Sequence, residues 1–278
     1  MSPFCSAAAY HGRLDVLQWA RDHDCPWDEW ACENAALGGH LDILQWTQVH
    51  DCPWSETTCA AAAENGHLGF LRWAREHECP WDEKTCARAA EGGHLEVLQW
   101  AHAHSCPWDA STCTGAARQG RLGLLMWAQE NGCPWVEATC AAAALGGHLE
   151  VLRIAQIHDC RWDWRTTASA AQGGHLEVLR WALDNGCPYN EYICAFAAEG
   201  GDMHVLQWAR EHNCPWTNET CANAAGGGHL EVLQWARDHN CPWNHETCAA
   251  AAEVGRCRLT VLNPVLKAPV VSALQATV

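Results

Sequence analysis

A short triplet, Cys-Pro-Trp, recurs along the chain at a constant interval and constrains the fold more than any other feature. Seven copies are exact, and Cys-Arg-Trp and Cys-Pro-Tyr complete the series at Cys160 and Cys187. Every step between neighbouring copies, from Cys25 to Cys241, is 27 residues long. Copies in register without insertion or deletion indicate one structural unit that is stacked on its neighbours.

The segment after Trp81 predicts a first helix, helix A, that ends at glycine. Asp82 is a helix-capping residue type, and the Ala-rich stretch 83–91 favours a helix. The second glycine of the pair that follows is present in every copy of the unit. A position that accepts only glycine needs a positive φ or a close backbone approach. We therefore assign structural roles to Gly39, Gly66, Gly93, Gly147, Gly174 and Gly228.

The next segment, 94–104, predicts a second helix, helix B, which we expect to end at Cys106-Pro107. Its apolar stripe at near-helical spacing is Leu95, Val97, Leu98 and Trp100. No segment alternates as a strand would. The sequence thus predicts an all-α solenoid of about nine helix–turn–helix units. We expect one repeat domain over 4–255, followed by an irregular tail, 256–278, which is either a makeshift cap or a truncated reading frame.

The segment from Ala89 to Val97, A-A-x-x-G-H-L-E-V, resembles the core of the ankyrin repeat. Ankyrin repeats have a period of about 33 residues, and the shorter unit here lacks the stretch after Trp108 where ankyrins carry a β-turn finger. The usual Thr-Pro-Leu-His opening is also replaced, by Lys84-Thr85-Cys86-Ala87. The chain therefore resembles a finger-less ankyrin variant over about 4–255. The resemblance implies a curved array with a concave helix-A face that binds proteins, and a histidine after the glycine that links neighbouring turns.

Composition restricts the partners. The net charge of −16 disfavours nucleic acid, because an acidic chain repels phosphates. No apolar run of roughly 18 residues predicts a membrane span, and the N-terminal segment lacks the pattern of a secretory signal. We therefore expect an intracellular protein, cytoplasmic or nuclear, with its 19 cysteines as thiols. We also expect a monomer.

The recurring cysteines and histidines raise the question of a metal site. Within a unit the cysteines are spaced C-x6-C, whereas zinc sites use closer pairs. The histidine position after the glycine holds Arg121 in one copy, and arginine does not replace a metal ligand. We interpret Cys86, Cys106, Trp100 and Trp108 as structural, and expect no metal and no cofactor. The sequence carries no catalytic motif, so we expect no enzyme. A metal-binding or redox-responsive repeat protein remains the alternative.

Function is expected where the copies differ. The second, third, seventh and tenth residues after the loop aromatic vary most, and the last three of these lie on one stripe of helix A. Residue types that are common at binding hot spots replace small or polar ones there and beside it. The candidate partner-binding residues are Trp30, Lys84, Arg88, Arg118, Trp164, Arg165, Tyr192 and Phe196. The expected partner is an unknown protein or peptide.

Overall fold

The computed structural model describes residues 3–190, 192–242 and 244, which form eighteen α-helices and no strand. The helices alternate between two series along the chain. Helices A are α1 (Pro3–Tyr10), α3 (Glu29–Gly38), α5 (Glu56–Glu64), α7 (Glu83–Gly92), α9 (Ala110–Arg118), α11 (Glu137–Leu145), α13 (Trp164–Gln172), α15 (Ile193–Gly200) and α17 (Asn218–Gly226). Helices B are α2 (Leu14–Asp22), α4 (Leu41–Val49), α6 (Leu68–Glu76), α8 (Leu95–Ala103), α10 (Leu122–Glu130), α12 (Leu149–Ile157), α14 (Leu176–Asp184), α16 (Met203–Glu211) and α18 (Leu230–Asp238).

The chain divides into two compact units, and the boundary falls between Thr139 and Cys140. In the first unit α1, α3, α5, α7 and α9 pack side by side in chain order, and each helix B packs on the helix A of its own repeat. In the second unit α13, α15 and α17 pack in the same way. The predicted all-α architecture of stacked helix pairs is confirmed. The predicted curvature and the single domain over 4–255 stay predictions, and the tail 256–278 lies outside the described residues.

Small side chains bring neighbouring repeats close together. In α7 the buried residues are Thr85, Cys86, Ala89 and Ala90, and in α8 they are Val97, Leu98 and Ala101. Within the predicted apolar stripe of helix B, Val97 and Leu98 are buried, whereas Leu95 and Trp100 are only partly buried. Alanine and cysteine on helix A leave little space between helices, so the large indole rings lie at the edge of the core.

The glycine that follows helix A serves two purposes. Gly39 has φ +72°, and all nine described glycines at this position have positive φ. In addition, a Cβ atom built on Gly39 would lie 2.6 Å from Cε1 of His67, in the next repeat. His67 uses this space to place Nε2 at 3.2 Å from the carbonyl oxygen of Leu37. The glycine therefore provides both the turn and the room for a hydrogen bond between repeats.

Helix B ends before the Cys-Pro dipeptide, which corrects the predicted stop. Ser105 has left-handed backbone geometry with φ +63°. The Cys106 amide then donates to the carbonyl of Ala101 at 3.0 Å, in the manner of a Schellman cap. His104 supports the same end, because its Nδ1 donates to the Trp100 carbonyl at 2.8 Å. Proline at position 107 therefore follows a helix that has already stopped.

The tryptophans form pairs that join consecutive repeats. The loop residue Trp81 meets Trp100 of the next helix B edge to face, with ring centroids 5.9 Å apart. Edge-to-face contact is a favoured geometry for aromatic rings. The same pairing recurs, with centroids 5.4–6.3 Å apart, at Trp27–Trp46, Trp54–Trp73, Trp108–Trp127, Trp162–Trp181 and Trp216–Trp235.

Candidate functional site

The variable stripe of helix A has different exposure along its length. On α7 the first member, Lys84, is exposed, and Arg88 one turn later has 48% of its side chain exposed. Arg88 faces the preceding helix A, because its Nη1 atom lies 3.8 Å from Oε1 of Glu64 in α5. At the same position in α5, Ala61 is buried. The exposed surface therefore consists mainly of the N-terminal end of each helix A.

Four candidate residues lie on neighbouring helices of the second unit. Trp164 is the first residue of α13 and is 37% exposed. Its indole ring lies 6.4 Å from the Phe196 ring of α15, with an angle of 31° between the planes. The Arg165 guanidinium lies 5.8 Å from the Trp164 ring centroid, within cation–π range. Tyr192 is half-buried at the start of α15. The other copies have Glu, Ala, Asn or His at the position of Trp164 and Asn, Ala, Arg, Gly or Ser at that of Phe196, so this aromatic cluster is specific to two repeats.

Local capping determines where Trp164 points. The Asp163 carboxylate accepts a hydrogen bond at 2.9 Å from the Arg165 amide and so starts α13. The same carboxylate lies 3.5 Å from the Arg165 guanidinium. An N-cap with this geometry holds the first helical residue at the outer rim of the helix end, and Trp164 is exposed there.

The first unit contains three basic candidates, on α7 and α9, and one tryptophan, on α3. Arg88 bonds Glu91 Oε2 at 3.0 Å, and Lys84 Nζ lies 3.9 Å from Asp82. Arg118 is exposed at the end of α9. Trp30 is 41% exposed on α3, well before the basic residues in the chain. The structure therefore divides the eight candidates between the two units.

The cysteines form pairs that were not predicted from their spacing in the sequence. Each helix-A thiol meets the loop thiol twenty residues later, as in Cys5–Cys25 at 3.5 Å and Cys140–Cys160 at 3.4 Å between the sulfur atoms. The 17 described cysteines contain no disulfide, and all but Cys25 are buried. The C-x6-C spacing was a misleading guide, because those two cysteines lie in different pairs. The useful signal was that both series share one 27-residue period.

Cys86 and Cys106 illustrate the chemistry of such a pair. The hydrogen bond to the Cys106 thiol, together with burial, raises the pKa of Cys86 above its usual range. The Cys106 sulfur also lies 3.5 Å from the Asp82 carbonyl oxygen. Both thiols are thus engaged with neighbours inside the protein. Among the described residues, no group of three or more His, Cys, Asp or Glu side chains is arranged to hold a metal ion.

Comparison with known proteins finds ankyrin repeats near the start of the chain. Residues 5–46 match the family model of ankyrin repeats (many copies). No curated protein matches the chain. Among solved structures, the human ASB11 ankyrin repeat domain is similar with a TM-score of 0.46 and 17% identity, over 58% of this chain and 85% of that one. No helix in the described part is long and apolar enough to cross a membrane. The family match covers residues 5–46, which hold the first copies of the 27-residue period, and over that stretch the chain is similar to ankyrin repeats.

Proposed function

We propose that the protein is a non-catalytic interaction scaffold that binds a protein or peptide at the exposed N-terminal ends of helices A. Ankyrin repeats generally mediate protein–protein interaction. The recurring residues build the helix pairs, so recognition belongs to the positions that vary between copies.

One observation carries the proposal. Trp164 and Phe196 present a neighbouring pair of aromatic rings, with Arg165 beside them, where most other repeats present polar or small residues. Trp and Arg are enriched at binding hot spots, and a clustered exposed group of them is unusual on a solvated surface. An extended or helical peptide segment that places an apolar side chain against both rings suits this geometry.

Charge defines the partner further. The chain has 33 acidic and 17 basic side chains, which favours a partner with a basic surface over nucleic acid or an anionic membrane. We propose a monomer in a reducing intracellular compartment, where buried cysteines such as Cys86 stay as thiols.

The test compares capture of partners by wild-type protein and by Trp164→Ala and Phe196→Ala. Loss of a hot-spot ring reduces affinity by about tenfold or more, so we expect a retained partner to be lost with each variant. Both residues are partly exposed, and far-UV circular dichroism should remain unchanged.

The matched control is Ile157→Ala. Ile157 is an apolar residue of the same unit, 72% exposed, but it lies on helix B. It should keep the partner. Equal loss with the control variant, or undiminished capture by Trp164→Ala, would refute the proposed face.

A further inference from the structure

One repeat of the second unit departs from the common pattern and opens a cleft of about 590 Å³. A cavity of this size is in the range that accommodates small molecules. Its lining includes Arg180, Tyr189, Ile193, Trp208, His212 and Cys214. It lies away from the Trp164–Phe196 ring pair and combines aromatic walls with a thiol.

The cleft arises where a tryptophan pair is missing. Tyr189 replaces the loop tryptophan and is 64% exposed. Within the described ranges it makes no ring contact with Trp208, although six other loop aromatics contact the next helix-B tryptophan. Trp208 keeps the contacts that helix-B tryptophans make elsewhere: it stacks on His212, with centroids 4.2 Å apart, and Arg180 lies 5.6 Å from its ring.

The helix start beside the cleft keeps the cap of the other repeats. The Asn190 side chain accepts a hydrogen bond from the Tyr192 amide at 3.1 Å, as the Asp82 side chain does from the Lys84 amide at 3.0 Å. The exposed Tyr189 side chain, and not a different cap, distinguishes this repeat at the cleft.

Cys214 lacks a contact that most of the other loop thiols make. In six other repeats the loop thiol donates to the carbonyl oxygen 24 residues earlier, at 3.3–3.7 Å: Cys52, Cys79, Cys106, Cys133, Cys187 and Cys241. No such bond joins Cys214 to residue 190 in the described part of the chain. Cys214 also accepts a hydrogen bond from the Cys194 thiol, which lowers its pKa to about 7, and the Arg210 guanidinium acts in the same direction.

We propose that Cys214 is a reactive thiol that takes low-molecular-weight disulfides into the cleft and then forms a disulfide with Cys194. Cys214 is 7% exposed and lines the cleft, while Cys194 is fully buried beside it, with its sulfur 3.6 Å from the Cys214 carbonyl oxygen. A thiolate at the floor of an open cleft meets the two requirements for exchange, access and charge.

The thiol–disulfide exchange needs no reagent besides the protein and the small disulfide. The Cys214 thiolate attacks one sulfur of the small disulfide, the S–S bond breaks, and the leaving thiolate takes up a proton. Cys194 then loses its proton and attacks the Cys214 sulfur, which releases the second small thiol. Two protein thiols are oxidised by two electrons, and one small disulfide is reduced to two thiols.

The test uses the full chain and 2,2′-dithiodipyridine, whose aromatic rings suit the walls of the cleft. Released thiopyridone gives the rate, and peptide mass spectrometry gives the site. We expect one phase at least about tenfold faster than the remaining thiols, with a Cys194–Cys214 disulfide as product. Cys214→Ser should abolish this phase, and Cys194→Ser should leave a stable mixed disulfide on Cys214.

Two further variants separate the cleft from general thiol reactivity. Tyr189→Trp restores the residue type of the other loops and should slow the fast phase about tenfold by closing the cleft. Cys133→Ser removes an equivalent thiol from a repeat with an intact tryptophan pair and should leave the fast phase unchanged. Persistence of the fast phase in Cys214→Ser, or its mapping to another cysteine, would overturn the proposal. An unchanged rate in folded Tyr189→Trp would overturn the role of the cleft.

Discussion

In several repeats a threonine hydroxyl is buried without a hydrogen-bond partner, which lowers the stability of the fold. The Oγ1 atoms of Thr85 and Thr112 are buried and have no hydrogen-bond partner. A buried hydroxyl without a partner costs about 1–3 kcal/mol. The equivalent residue of α15 is Ile193, which is 2% exposed, so an apolar β-branched side chain fits this position.

We therefore predict that Thr85→Val raises the free energy of unfolding by about 1 kcal/mol, because it removes the unpaired hydroxyl and keeps the shape. Urea unfolding followed by far-UV circular dichroism measures the change. Thr220→Val is the matched control, since Thr220 Oγ1 accepts a hydrogen bond from the Thr217 amide at 3.4 Å. The control should lose about 1 kcal/mol. Equal destabilisation of both variants would mean that Thr85 has a partner.

The roles of residues that recur every 27 residues could be predicted from the sequence. The contacts between two different recurring positions could not. Gly93 could be assigned from its recurrence alone, because few backbone geometries demand glycine. The Cys86–Cys106 pair could not, because its partners are twenty residues apart and only the fold brings them together. The same holds for the cleft. Tyr189 is a conservative change in sequence, and its effect on Trp208 depends on how the loop is placed.

At the scale of helices, the Cys-Pro motif correctly marks the region where helix B ends, although the proline is not what ends the helix. Proline at position 107 suggested the stop, whereas the left-handed residue before Cys106 provides it. Seven described non-glycine residues adopt this geometry, including Glu78 with φ +63°. Gly132 and Gly186 occupy the same position in two repeats. A left-handed backbone costs a non-glycine residue about 1 kcal/mol.

We predict that Glu78→Gly stabilises the protein by about 0.5–1 kcal/mol, since glycine adopts the left-handed geometry without the Cβ penalty. Thermal or urea unfolding detects a change of this size. Glu76→Gly, placed two residues earlier at the end of α6, should instead destabilise by about 0.5–1 kcal/mol, because glycine is unfavourable within a helix. Destabilisation by Glu78→Gly would indicate that the Glu78 side chain stabilises the cap.

At the scale of the whole molecule, the negative charge disfavours self-association, whereas the exposed aromatic side chains favour it. The chain has a net charge of −16 at pH 7 and a pI of about 5.4. Like charges keep molecules apart, and this repulsion vanishes near the pI. Trp30 and Trp164 are exposed large apolar side chains that can then meet another copy.

We predict that the protein is monomeric at pH 7.5 and self-associates reversibly as the pH falls towards about 5.4, where the charges balance. Light scattering across this range, at constant protein concentration, measures the effect. Trp164→Ala should reduce the association at low pH without altering the net charge, whereas Ile157→Ala serves as the control for an exposed apolar side chain outside the aromatic cluster. If both variants associate as the wild-type protein does, charge neutralisation alone drives the process. If Trp164→Ala alone stays monomeric, the aromatic surface proposed to bind a partner is also the surface that the acidic charge protects from self-association.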